Sequence, residues 1–275
     1  MNNLKLDAKW YTIKPVNPKF FTITKKMHNA LQGEKINLTQ RERQIYLQTN
    51  RYLAEELKRV KSDVLIIHDP QPLPILSFYP DHPPAIWRCH IDTTKPNQAV
   101  WRFLSPYLNN YQRFIFHIKD FIPADLSTER AVIFPPAIDP LTDKNKLMSK
   151  KKATQIIEQF GIDLSKPLIT QVSRFDPWKD PLGVIKAYRL AKQSIPGLQL
   201  AYLGLSLAKD DPESLEIYQT VKKAIRSDDR IFLFFDPKQI NLPVDLFVNA
   251  FQTGSDVILQ KSIREGFGLS VTEVI

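Results

Sequence analysis

The sequence predicts an α/β protein with two parallel sheets that follow one another along the chain. Apolar runs of strand length alternate with helical patterns, first in residues 7–134 and again from residue 149. A proline-rich stretch separates the two series. Polar motifs follow directly on several predicted strands, where parallel sheets bind ligands. These observations favour two doubly wound, Rossmann-like halves with a ligand site in the cleft that they face.

The first half alternates strands with helices. The opening strand is Asp7–Ile13, in which Trp10 and Tyr11 supply bulk. Thr39 and Glu42 have the spacing of a capping box and begin a long helix. The predicted elements are, in order, strand Asp7–Ile13, helices Pro18–Leu31 and Thr39–Val60, strands Asp63–His68 and Ala85–His90, helix Asn97–Leu108, and strands Arg113–Ile118 and Ala131–Phe134.

The second half repeats this order. The linker Pro135–Lys146 carries three prolines among polar residues, so the predicted domains are residues 1–140 and 141–275. The predicted elements are helix Ser149–Phe160, strand Leu168–Ser173, helix Pro181–Gln193, strand Leu198–Gly204, helix Pro212–Arg226, strand Ile231–Phe235, helix Pro243–Thr253 and strand Asp256–Leu259.

The composition is that of a globular protein and argues against membrane-spanning and nucleic-acid-binding functions. Hydrophobic residues make up 43% and charged residues 24% of the 275 residues, as in globular proteins. No signal peptide or membrane span is predicted, and one cysteine, Cys89, is typical of a cytoplasmic protein. The net charge of +9 is spread along the chain. The only tight basic run, Lys150–Lys152, is interpreted as a solvated helix start, so no nucleic-acid or membrane partner is expected.

The last stretch of the chain is the clearest candidate site. A buried strand, a loop containing Gly266 and Gly268, and the start of a helix place backbone N–H groups where an anion can bind. Glu265 lies in the loop and Glu273 in the opening turns of the helix. Two solvated glutamates at a helix start are the plainer alternative.

Other polar residues follow predicted strands. Arg174 and Lys179 come after Leu168–Ser173, and two fixed cations can stabilise a leaving phosphate without a metal. An ordinary surface pair is the alternative. The first-half candidates end two strands or share one helix: they are Asp69, Gln71, Arg88, His90, Asp92, His28 and Gln32. Metal-ligand spacings and nucleotide-binding glycine motifs are absent from the sequence.

These residues resemble a known family. Arg264–Leu269 with Glu273 is similar to the Glu-x7-Glu signature of retaining glycosyltransferases of the GT-B type. Ser173–Asp180 resembles their donor-phosphate loop. The runs His28–Gly33, His68–Pro72 and Trp87–Asp92 are similar to one group in particular, the trehalose glycosyltransferring synthases and the trehalose phosphorylases. The resemblance extends from about Asp7 to the last residue.

The resemblance implies a reaction and roles. Glucose would pass from a nucleotide-glucose to glucose, giving trehalose with retention and needing no metal or further cofactor. The phosphorylase reaction, and a non-catalytic remnant of such an enzyme, remain alternatives. Glu273 would hold the donor ribose, Glu265 and His90 would meet the transferred sugar, and Arg174 and Lys179 the phosphates. The backbone of Gly266, Phe267, Gly268 and Leu269 would face the donor, while Asp69, Gln71, Arg88, Asp92, His28 and Gln32 would line the acceptor side.

The resemblance also implies that both domains are incomplete. Family members open with a strand before the segment similar to Asp7–Ile13, and they place a further glycine-rich loop over the donor. We therefore expect an unpaired gap in the first sheet, aggregation of the isolated chain and no trehalose formation by it alone. A homodimer or a complementary fragment would then be its partner.

Overall fold

A computed structural model describes residues 5–205 and 213–274. It contains two compact units, one up to Phe134 and one from Pro135 on, and each is described by itself. The division between the units falls at Pro135, the first residue of the proline-rich linker. Pro212, the predicted start of one helix, and Ile275, the last residue of the candidate site stretch, lie outside the described residues.

The first unit contains a four-stranded parallel sheet in the order β1-β2-β3-β4. Its strands are β1 (Leu65–His68), β2 (Ala85–Arg88), β3 (Arg113–Phe116) and β4 (Ala131–Ile133). The strands pair without interruption, with His68 opposite Arg88 and Arg88 opposite Ile115. Among the described residues β1 is an edge strand whose hydrogen-bonded neighbour is β2, so the predicted gap, which concerned a strand missing from this sheet, stays a prediction.

Among its described residues this unit has three α-helices: α1 (Phe20–Leu31), α2 (Gln40–Leu57) and α3 (Gln98–Leu104). The Thr39–Glu42 capping box is confirmed, since Glu42 N–H donates to Thr39 Oγ1 at 3.2 Å and Thr39 N–H to Glu42 Oε2 at 2.9 Å. The chain continues after α3 as a 3-10 helix, Ser105–Asn110, because Pro106 has no N–H for an α-helical bond.

The predicted strand Asp7–Ile13 is wrong. The segment has no ladder partner, and its first backbone bond is a local turn in which Ala8 N–H donates to Leu6 O at 3.0 Å. Trp10 and Tyr11 are 74% and 60% exposed, so the bulk of this segment is not core. The indole of Trp10 instead packs edge-on against the His68 ring, with centroids 5.0 Å apart.

Alternation along the strands places one face of the first sheet in a single core. Ile67, Trp87 and Phe114 point to α1, α2 and α3 in one continuous cluster of buried side chains. Ile66, between two of the buried positions of β1, is 50% exposed. The face of β1 that carries Ile66 therefore lies outside this core.

The second unit contains a parallel sheet in the order β7-β6-β5-β8. The strand and helix predictions here agree with the structure to within a few residues. The elements are α4 (Lys150–Glu158), β5 (Leu168–Val172), α5 (Pro181–Ala191), β6 (Gln199–Leu203), α6 (Ser214–Ile225), β7 (Ile231–Phe234), α7 (Val244–Gly254), β8 (Val257–Leu259) and α8 (Leu269–Thr272).

Both faces of this second sheet are covered. Ala201 and Leu203 pack with α4 and α7, whereas Leu200 and Tyr202 pack with α5 and α6. Neighbouring residues of β6 thus point into separate cores, which is the arrangement of a doubly wound sheet. Within residues 5–205 and 213–274, no helix is both long and apolar enough to cross a membrane.

Because Gly204 has no side chain, the Phe175 ring and the backbone oxygen of Ser173 can pack directly against its backbone. A Cβ atom at Gly204 would lie 2.5 Å from Phe175 Cδ2 and 2.8 Å from Ser173 O. We predict that Gly204→Ala lowers the free energy of unfolding by about 1–3 kcal/mol in urea titrations, because the core has no space for the methyl group. The loss should shrink in a Phe175→Leu background. A Gly204→Ala chain as stable as the parent would contradict this packing.

Candidate functional site

In the second unit, the loop after β5 is shaped by two aspartates. Asp176 Oδ1 accepts from Trp178 N–H at 2.9 Å and opens a short 3-10 turn, Pro177–Lys179. Asp180 has φ +47° and caps α5 by accepting from Gly183 N–H at 3.0 Å. Lys179 therefore lies between two capped turns, which fix its backbone.

Lys179 pairs with Glu265, which lies in the loop after β8. The ammonium contacts Glu265 Oε2, and the two side chains are 17% and 28% exposed. Gln260 Nε2 and Ser262 Oγ each donate to the same oxygen at 3.0 Å. The structure thus brings together two of the predicted site residues, which are 86 positions apart in the sequence.

Backbone bonds hold the two loops together. Ile263 N–H donates to Trp178 O at 2.7 Å. Gly268 has φ +87°, which glycine adopts without strain, and α8 begins directly after it. The N–H of Gly266 donates to Glu265 Oε1 at 3.2 Å, while Phe267 and Leu269 are exposed.

Gln171 is a supporting residue that the sequence reasoning missed. Its fully buried amide donates to Ser173 Oγ at 3.0 Å and to the backbone oxygen of Lys179 at 3.1 Å. The amide therefore ties the end of β5 to the lysine's own backbone. A buried glutamine in an otherwise apolar strand is the signal that could have indicated this role. Arg174, an exposed residue of the same loop, accepts from Tyr202 Oη at its backbone oxygen.

Glu273 lies in a different setting from Glu265. Its side chain is 5% exposed and pairs with Lys144 Nζ at 2.5 Å, and its second oxygen accepts from Gln252 Nε2 at 3.1 Å. Both carboxylate oxygens thus have partners within the unit. The predicted contact of Glu273 with a donor ribose stays a prediction.

In the first unit, the polar residues collect where β1 and β2 end. Asp69 follows β1 with φ +62°, and its Oδ1 accepts from His90 N–H at 2.8 Å. Burial raises the pKa of the Asp69 carboxyl to about 6, although the His90 N–H and the Arg88 charge oppose this. The Trp87 indole donates to the backbone oxygen of Asp69 at 3.0 Å and fixes the turn.

Both ring nitrogens of His90 are hydrogen-bonded to other imidazoles. Nε2 lies 2.9 Å from His68 Nδ1, and Nδ1 lies 3.1 Å from His117 Nε2. Burial, together with the neighbouring His117, His68 and Arg88, lowers the pKa of His90 to about 4. Sequence reasoning missed His68 and His117 as site residues, although each stands at the end of a predicted strand next to that of His90.

The remaining predicted residues of the first unit lie near the ends of β1 and β2 or at α1. Asp92 is buried and accepts from Thr94 N–H at 3.0 Å. The Arg88 guanidinium lies over the Phe134 ring at 5.6 Å. Arg88 Nε, Gln71 Oε1 and Gln32 Oε1 are buried without a hydrogen-bond partner, which is costly unless a ligand supplies one. His28 is half-buried on α1, four positions before Gln32.

No cluster of metal-binding side chains is present in residues 5–205 and 213–274, where no group of three His, Cys, Asp or Glu residues could hold an ion. The candidate site residues do carry side chains that suit anions and hydroxyl groups. Lys179 can hold a phosphate, and Glu265 and the strand-end groups of the first unit can hydrogen-bond to hydroxyls.

The family of the chain is decided by its similarity to known proteins. Residues 1–123 match the trehalose synthase N-terminal domain, and residues 152–275 match the glycosyl transferases of group 1. The trehalose synthase of Thermococcus litoralis is 44% identical over the whole chain. The chain belongs to the trehalose synthase and trehalose phosphorylase group of glycosyltransferases. This member of the group spans 66% of the length of the Thermococcus protein.

A more distant relative agrees with this family, and a solved structure shows the same fold. The trehalose phosphorylase of Pleurotus pulmonarius is 29% identical over 99% of the chain, which covers 42% of that protein. The UDP-forming α,α-trehalose-phosphate synthase of Burkholderia xenovorans, solved with glucose-6-phosphate, aligns with a TM-score of 0.68 at 14% identity. The alignment covers 98% of this chain and 72% of the Burkholderia chain. The predicted GT-B type of α/β fold is confirmed.

The shifted pKa values of His90 and Asp69 predict pH dependences of opposite sign. The unfolded chain binds a proton at His90 below the ordinary pKa of 6.5, and the folded chain only near 4, so this group's contribution to stability is lost as pH falls through that window. The folded Asp69 holds its proton up to about 6, against 3.8 when unfolded, so its contribution declines as pH rises between those values.

We therefore predict that the free energy of unfolding of the parent minus that of His90→Gln rises as pH increases from about 4 to 6.5. The same difference measured with Asp69→Asn should fall with increasing pH, since asparagine tolerates the positive φ. Urea titrations at several pH values measure both. Equal slopes for the two variants would contradict the assignment.

Proposed function

We propose that this chain carries the donor-phosphate and hexose-binding groups of a retaining glucosyl transfer that forms trehalose from a nucleotide-glucose and glucose. The main support for this proposal is the Lys179–Glu265 ion pair in the loops that follow β5 and β8. Gln260 and Ser262 hold the carboxylate, and the capped turns hold the lysine backbone. The 44% identity to a trehalose synthase, against 29% to a phosphorylase, supports the synthase reaction over phosphorolysis.

The reaction exchanges one bond at the anomeric carbon of the donor glucose. The bond from C1 to the phosphate oxygen breaks, and a bond from C1 to the acceptor hydroxyl oxygen forms on the same face. The acceptor's proton passes to the departing phosphate oxygen, so the leaving group acts as base. Charge accumulates on the diphosphate, and fixed cations that meet it there lower the barrier.

The second unit would supply these cations. Lys179 pairs with the Glu265 carboxylate, and a diphosphate carries more negative charge than that carboxylate does. We infer that Lys179 turns to the phosphate and that the released Glu265 accepts hydrogen bonds from the donor sugar. Arg174 adds a second cation. Backbone N–H groups of residues 266–269 lie in the loop beside this pair, and Glu273 is proposed to contact the donor ribose.

The first unit would hold hexose hydroxyls. Gln71, Gln32 and Arg88 each keep a polar atom buried without a partner, and Asp69 and Asp92 add carboxylates. Groups of this kind, arranged on a rigid sheet edge, suit a polyol with several hydroxyls. His90 acts there through the imidazoles to which it is bonded, and His28 lies on the neighbouring helix.

The test is nucleotide binding by paired variants. In thermal-shift and calorimetric titrations with nucleoside diphosphates, Lys179→Ala should weaken binding by roughly 10- to 100-fold, since a charge-assisted bond is lost. Glu265→Gln should bind at least as tightly as the parent, because it frees the lysine. Lys186→Ala, an exposed lysine on α5, is the charge-matched control.

Three outcomes discriminate the alternatives. Stabilisation by orthophosphate but not by nucleoside diphosphates would favour phosphorolysis. Nucleotide binding without trehalose from nucleotide-glucose and glucose would identify a donor-binding remnant. Equal nucleotide affinity in the parent and Lys179→Ala would contradict the proposed phosphate site.

A further inference from the structure

Three imidazoles form a continuous hydrogen-bonded chain at the ends of three neighbouring strands. His68 ends β1, His90 follows β2 and His117 follows β3. His68 Nδ1 lies 2.9 Å from His90 Nε2, and His90 Nδ1 lies 3.1 Å from His117 Nε2. The rings of His68 and His90 stack, with 9° between their planes, and those of His90 and His117 meet edge to face at 72°. We call these three residues the histidine chain.

The valence of imidazole couples the three rings. A neutral ring has one N–H and one bare nitrogen, so the two bonds through His90 must run in the same direction. In one arrangement His68 Nδ1–H donates to His90, and His90 Nδ1–H donates to His117. In the other, His117 Nε2–H donates to His90, and His90 Nε2–H donates to His68. Conversion between them takes up one proton at His68 Nε2 and releases one from His117 Nδ1.

Burial and charge favour the neutral forms of His68 and His90. Burial lowers the pKa of both His68 and His90, and the nearby Arg88 lowers both further. The Asp69 carboxylate accepts a hydrogen bond from the backbone N–H of His90. Asp92, in the loop after β2, accepts one from the N–H of Thr94. Asp69 thus acts on His90 at its backbone N–H rather than at a ring nitrogen.

The two ends of the histidine chain differ in exposure. His117 is 4% exposed, whereas His90 and His68 are partly exposed. Beside His68 lies the largely exposed indole of Trp10. An exposed aromatic ring next to a polar imidazole suits a ligand that has apolar faces and hydroxyl edges. The middle ring, His90, has no nitrogen left for such a ligand.

We propose that His68, His90 and His117 work as one proton-sharing unit, in which His117 is a positioning residue and Nε2 of His68 is the atom that meets a substrate hydroxyl. Nε2 of His68 accepts from the hydroxyl in one arrangement and donates to it in the other. That the hydroxyl belongs to a hexose rests on the function proposed above, whereas the coupling of the three rings does not.

The coupling is tested by the ring ¹⁵N resonances of the whole chain labelled at histidine, at about pH 7.5, where the neutral forms dominate. His117→Phe removes the buried end and should shift the His68 ring nitrogens between bare and protonated positions, although the structure gives no contact between residues 68 and 117. His117→Gln, whose amide can replace Nε2, should keep the parent values. His82→Asn, which lies outside the histidine chain, is the control.

If His117→Phe fails to fold, the reciprocal variant His68→Phe, at the partly exposed end, should shift the His117 ring nitrogens. Unchanged His68 resonances in folded His117→Phe, or unchanged His117 resonances in His68→Phe, would overturn the coupling. Titration with glucose should shift His68 Nε2 more than either nitrogen of His90. A response centred on His90, or none in the histidine chain, would overturn the assignment of His68 as the contact. This test involves no nucleotide, so its failure is distinct from failure of the Lys179 site.

Discussion

The second unit's site depends on one ion pair, that of Lys179 with Glu265. It joins the loops after β5 and β8, which are hydrogen-bonded strand neighbours, and Gln260 and Ser262 saturate the shared carboxylate oxygen. Partial burial strengthens the attraction relative to an exposed pair, and it also makes either charge costly to leave alone. The pair therefore holds the Lys179 cation in a fixed position, and on the proposed function a phosphate replaces the carboxylate there. The two capped turns and the buried Gln171 amide serve the same end, since they hold the lysine backbone still.

The first unit handles polar groups at its strand ends by the opposite means. There the groups are desolvated, which favours their neutral forms: burial raises the pKa of Asp69 to about 6, and burial together with nearby imidazoles and Arg88 lowers that of His90 to about 4. Neutral, mutually bonded rings suit hydroxyl groups, just as a stored cation suits a phosphate. On the proposed function, the same topological position, the carboxyl end of a parallel strand, provides two kinds of recognition in one chain.

Much of the fold follows from local patterns, and the failures have physical causes. The capping box at Thr39 and the strands of the second unit were predictable because their signals are local. Asp7–Ile13 has a strand-like composition but no partner strand, and pairing cannot be read from one segment. The partners of the site residues depend on register: His68 meets His90 across 22 positions, and Glu273 meets Lys144 across 129. Sequence motifs therefore predicted Glu265 and Lys179 as site residues but did not predict that they bind each other.

The most direct test of the stored-cation account is a crystal structure of the chain with a nucleoside diphosphate. The account predicts that Lys179 Nζ contacts a phosphate oxygen and has left Glu265, while Gln171 still holds the lysine backbone. A diphosphate bound elsewhere on the second unit, with the Lys179–Glu265 pair intact, would contradict it.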